Sequence, residues 1–122
     1  MLNCDLHVHT NFSKDGESSV EEILERADEI GLDVIAITDH DTVEGAKKAL
    51  LFMTRVLVIP GIEVSTKQGH LIVLGVTEVI PAGLELEVLR QAATVEAKDQ
   101  EAARRILAGA SLLETMRALG RA

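Results

Sequence analysis

An α/β fold built from parallel strand, helix, strand units is what this sequence predicts, on three observations. Short apolar runs, Leu2 to Val8, Leu32 to Thr38 and Val56 to Ile59, alternate with stretches of helical periodicity, and the connections between them are short. The run Val34-Ile35-Ala36-Ile37 is apolar throughout, as in a parallel strand covered on both faces. Histidines and carboxylates collect where these runs end, which is where α/β folds gather their reactive groups.

The first strand, Leu2 to Val8, leads into Asp5-Leu6-His7-Val8-His9-Thr10. Side chains at i and i+2 of a strand share a face, so His7 and His9 are expected to aim two imidazoles at one point while Leu6 and Val8 pack the other way. The polar segment Thr10 to Ser18, with Gly16, reads as a loop. Ser19 is placed to cap a helix over Val20 to Ile30. Glu22 stands three residues on, as in a capping box, and Ile23, Leu24, Ala27 and Ile30 recur at helical spacing before Gly31 ends it. After the second strand comes Thr38-Asp39-His40-Asp41, and Thr42 is expected to cap a helix from Val43 to Met53. The third strand is expected to stop at Pro60-Gly61. Leu71 to Val76 is a further apolar run, and Ala82 to Ala122 is helical in character.

A chain of 122 residues is expected to form one domain at most, large enough to bury a core but small for a closed α/β barrel. With no Trp or Tyr and only Phe12 and Phe52 as aromatics, that core must be aliphatic. The net charge of −8 opposes non-specific binding to nucleic acid or to an anionic membrane. A phosphate-bearing substrate would have to be drawn in locally, and bound divalent cations would do that by reversing the sign of the site. No segment has the roughly eighteen apolar residues of a membrane span, and the first residues lack a basic region followed by an apolar run. The lone Cys4 can form no internal disulfide, so a reducing, cytoplasmic setting is expected.

Imidazoles and carboxylates at converging strand ends are what divalent-metal hydrolases use. His7, His9 and His40 are placed for that role. Glu63, after Pro60-Gly61-Ile62, reads either as a carboxylate turned into the same cleft or as an exposed strand-edge residue. His70 reads either as a ligand or as a histidine at the start of a strand. Asp15 lies in Ser13-Lys14-Asp15-Gly16, a good turn sequence, but on a loop that can fold back over His7 and His9. Neither Ser13 nor Cys4 has the context of an activated nucleophile.

Taken together, Asp5-Leu6-His7-Val8-His9-Thr10, Ser13-Lys14-Asp15-Gly16, Ile37-Thr38-Asp39-His40-Asp41, Pro60-Gly61-Ile62-Glu63-Val64-Ser65 and Gly69-His70-Leu71 resemble, in order and spacing, the opening motifs of the PHP (polymerase and histidinol phosphatase) domain. The resemblance covers residues 2 to about 80. It implies part of a distorted β/α barrel, a cluster of up to three metal ions (zinc, manganese, iron or magnesium), and hydrolysis of a phosphate-ester substrate by metal-activated water. It makes His7, His9, Asp15, His40, Glu63 and His70 metal ligands. By the resemblance, His7, His9, His40 and Glu63 would carry the catalysis, while Asp39 and Asp41 would orient imidazoles. Residues 1–80 would form the N-terminal part of the metal-binding domain and 81–122 a helical segment of the same domain.

One departure stands out. The family supplies further ligands from later strands, a histidine near a proline and an Asp-x-His pair, and this chain has no histidine after His70. Three readings follow: a phosphoesterase, a metal-binding or oligomerisation module that has lost catalysis, and a structural fragment. An incomplete barrel leaves strand edges and apolar surface open, so a homo-oligomer is expected.

Overall fold

A computed structural model describes residues 1–89; the part of the expected C-terminal helical segment from residue 90 onward lies outside the described residues. The elements run β1 (Cys4–Val8), α1 (Val20–Glu29), β2 (Val34–Ile37), α2 (Glu44–Ala49), β3 (Leu57–Thr66) and β4 (Gly69–Leu74). The strands are hydrogen-bonded in the order β1-β2-β3-β4, with β1, β2 and β3 parallel. The predicted parallel α/β class is therefore what is found.

The described residues divide into two compact units. The larger comprises Met1–Val64 and Ile72–Val79 and contains both helices. Its core is aliphatic, as the composition required: Val20, Leu24 and Ala27 of α1, Ile35 and Ile37 of β2, Ala46 and Ala49 of α2, and Val56. All four residues of β2 are buried, which explains why that strand carries no polar alternation. By contrast β1 stands at the sheet edge. Val8 reaches the core, but Leu6, expected to pack with it, is exposed, as no described strand pairs on that side of β1.

Helix α1 forms where its cap is written. The Ser19 hydroxyl accepts from the Glu22 amide at 3.1 Å while the Glu22 carboxylate accepts from the Ser19 amide at 3.1 Å, closing a capping box. Ser19→Ala is expected to remove about 1 kcal/mol and roughly 4 °C of Tm, read by thermal unfolding.

Two boundaries differ from expectation. Helix α2 is capped by Val43 rather than Thr42 and ends near Leu50, well before Met53. Thr42 instead accepts from the Glu44 amide at 3.2 Å in a tight turn. Ala46 and Ala49 already fill the buried stripe of this helix, and Leu50 to Met53 are exposed among the described residues. The second difference is at Pro60-Gly61, which does not stop β3. Pro60 points its carbonyl at the amides of Gly75 (2.7 Å) and Val76 (3.3 Å), so its missing N–H also faces away from β2 and the β2–β3 ladder stays whole. Gly61 is required there by proximity, because a Cβ would lie 2.8 Å from the Val73 carbonyl oxygen and 3.1 Å from the Thr38 methyl.

The smaller unit comprises Ser65–Leu71 and, among the described residues, Ile80 to Leu89. In it the Ser65 carbonyl accepts from Gly83 (2.8 Å), and the Lys67 amide donates to the Leu84 carbonyl (3.0 Å). Residues 86–89 are helical.

Candidate metal centre

The larger unit brings two strand ends and one loop together. Where β2 ends, the Thr38 amide donates to the Val8 carbonyl at 2.8 Å, holding the end of β1 beside it. Beyond Ile37 the pairing with β3 lapses and then resumes as an isolated parallel bridge between His40 and Glu63. Here the Glu63 amide donates to the Asp39 carbonyl (2.9 Å) and the Asp41 amide to the Glu63 carbonyl (3.0 Å). Asp41 takes a left-handed backbone, φ 53°, as the chain turns toward α2.

Glu63 is buried, with 5% of its surface exposed, and its carboxylate gathers imidazoles from the ends of β1 and β2. Its Oε1 is met by Nε2 of His7 and, at 3.1 Å, by Nε2 of His9; its Oε2 is met by Nδ1 of His40 at 3.2 Å. Asp15, on the loop after β1, faces the other sides of two of these rings: His9 Nδ1 at 3.0 Å and His40 Nε2 at 3.1 Å. His9 and His40 therefore each stand between two carboxylates. Their ring centroids are 4.4 Å apart, and those of His7 and His9 are 5.0 Å apart.

Within the larger unit, two overlapping sets emerge, His7-His9-Glu63 and His9-Asp15-His40. In each, ligand atoms lie within 4.8 Å of one another. Imidazole nitrogens and carboxylate oxygens in such a set fit a divalent transition metal, with zinc, manganese and iron all compatible. The electrostatics fit too. Burial pushes the Glu63 carboxyl up, yet its contacts with His7 and His9 and the charge of His40 outweigh this and hold it below the ordinary glutamate value. For Asp15 the upward push of desolvation is likewise outweighed by His9 and His40.

Of the residues singled out from sequence, His7, His9, Asp15, His40 and Glu63 meet here. Glu63 is buried against imidazoles, not an exposed edge carboxylate. His70 is the second residue of β4, is exposed, and belongs to the smaller unit. Asp39 is a correction. Its carboxylate orients no imidazole; it accepts from the Thr10 amide (2.6 Å), the Ser13 hydroxyl (2.8 Å) and the Thr10 hydroxyl (2.7 Å). Thr10 and Ser13 are thus structural partners of the centre that sequence reasoning missed. The available signal was their placement, one residue after His9 and two before Asp15.

Comparison with known proteins gives a consistent picture. A family model described as the PHP domain matches residues 5–115, further along the chain than the motifs quoted above extend. An uncharacterized protein of Methanocaldococcus jannaschii is 40% identical over 98 residues, covering 70% of this chain and 57% of that protein. The phosphoribosyl 1,2-cyclic phosphate 1,2-diphosphodiesterase of Eggerthella lenta is 41% identical over 86 residues, 64% of this chain and 32% of the relative. Among solved structures, an amidohydrolase from Chromobacterium violaceum with bound sulfate and no metal superposes with a TM-score of 0.53 at 27% identity. That match covers 85% of this chain and 37% of the other. The chain thus spans only part of the length of each of these relatives.

Proposed function

Because the chain belongs to the PHP domain family, we propose that it is a metal-dependent phosphoesterase whose ions are held by His7, His9, Asp15, His40 and Glu63. The observation that carries this reading is the meeting of three imidazoles from two strand ends on one buried carboxylate, with a second carboxylate opposite. The phosphodiesterase name of the Eggerthella lenta relative favours a phosphate ester as substrate.

A divalent cation held there supplies Lewis acidity toward phosphoryl oxygens and makes water a competent nucleophile near neutral pH. The protein's own groups do the placing. Glu63, buried and kept ionised by its imidazole neighbours, sets the positions of His7, His9 and His40 from below. The His7 and Asp15 side chains are each 54% exposed and form the open side, where a substrate phosphate can approach. No side chain is needed as nucleophile: the Ser13 hydroxyl is buried and committed at both ends, donating to Asp39 and accepting from the His40 amide.

Purified protein loaded with manganese or zinc is expected to hydrolyse p-nitrophenyl phosphate, to lose that activity in EDTA, and to regain it on adding back the ion. Metal uptake without hydrolysis of any phosphate ester would favour the metal-binding module instead. Failure to take up metal would leave a structural fragment.

A further inference from the structure

Under the centre lie three buried polar side chains that do none of the chemistry proposed above: Thr10, Ser13 and Asp39, 0, 4 and 1% exposed. A carboxylate in that setting is costly unless donors offset its burial, and Asp39 finds three, all from the loop that follows β1. Helix α2 presses on this network through Gly45, where a Cβ would overlap the Asp39 carboxylate and the Thr10 hydroxyl. The loop is also tied to itself, by Ser13 N–H to Thr10 carbonyl (3.0 Å), Gly16 N–H to Ser13 carbonyl (3.2 Å) and Asn11 N–H to Ser18 carbonyl (2.8 Å). Of the three, Ser13 also reaches the backbone of His40. Its hydroxyl donates to Asp39 at 2.8 Å and accepts from the His40 amide at 2.8 Å, so one oxygen joins the loop carrying Asp15 to the backbone carrying His40.

We infer that Ser13 is a positioning residue of the metal centre, the latch that keeps His9, Asp15 and His40 assembled as a ligand set before any ion arrives. The inference rests on reading these side chains as metal ligands. The other set, His7-His9-Glu63, depends on the end of β1 and on β3, neither of which Ser13 holds. Loss of the hydroxyl should therefore act on one set and spare the other.

The test is Ser13→Ala, titrated with manganese by calorimetry alongside wild type, with hydrogen exchange of the His40 amide followed in the metal-free proteins. Expected are one class of manganese sites weakened about 10-fold to 100-fold, a second class at wild-type affinity, and faster exchange at His40. A residue that merely supports the fold would lower Tm and weaken all sites together, and that outcome overturns the inference, as do unchanged affinity and exchange. A wild-type protein that takes up no manganese overturns the metal reading and this inference with it. Should Ser13→Ala fail to fold, Thr10→Val, which keeps the volume but removes one donor to Asp39, should show the same selective weakening to a smaller degree. Uniform or absent weakening there overturns the inference equally.

Discussion

If the proposed function holds, replacing His9 with alanine is expected to cost most of the metal uptake and about a thousandfold or more of the phosphoesterase turnover, since a catalytic metal supplies several kcal/mol of transition-state stabilisation. His9 belongs to both of these ligand sets, its Nε2 facing Glu63 and its Nδ1 facing Asp15, so its loss removes a ligand from both at once. Its loss also leaves the buried Glu63 with one fewer imidazole to offset burial. The fold should survive, because His9 is not among the residues of the aliphatic core and follows the last residue of β1. Calorimetric metal titration, turnover of p-nitrophenyl phosphate and thermal unfolding of the same preparation separate these effects. A variant with wild-type metal content and turnover would remove His9, and with it the overlapping-set arrangement, from the proposal.

Features decided by neighbours in sequence were the legible ones. The four-residue apolar run of β2, the capping box at Ser19 and the helical stripe of Leu24 and Ala27 each depend on groups within one or two turns, and each stands as read. Where the outcome turned on which way a group faces in the assembled sheet, sequence pattern misled or stayed silent. Pro60 matters to a ladder only if its missing N–H points at a partner strand, and nothing local says that it points away from β2. Leu6 looked like core because it alternates with His7, yet alternation cannot reveal that β1 is an edge. Asp39, beside His40, has the chemistry to orient an imidazole. Its carboxylate was claimed instead by a loop from the far end of β1, which brings three donors at 2.6 to 2.8 Å. For the same reason Glu63 read two ways until its bridge to His40 placed it under the rings.

Asp39→Ala should be the most destabilising single change in this region, by about 3 kcal/mol, which for a chain of this length lowers Tm by roughly 12 °C. The backbone amide of Thr10 would lose its charged acceptor, and a buried donor left unsatisfied costs about 1 to 3 kcal/mol by itself. The Ser13 and Thr10 hydroxyls can rotate to other acceptors and so add less, while the space vacated beneath Gly45 adds a packing loss. Asp39→Asn isolates the charge from the geometry. Its amide oxygen can still accept from Thr10 and Ser13 while its NH2 donates to the Thr10 hydroxyl, so the expected loss is about 1 kcal/mol. Thermal unfolding should therefore rank wild type above Asp39→Asn and Asp39→Ala last. An alanine variant melting within about 2 °C of wild type would mean that water or another donor set replaces the carboxylate freely. The loop carrying Asp15 would then be held by its own turns and not by the end of β2.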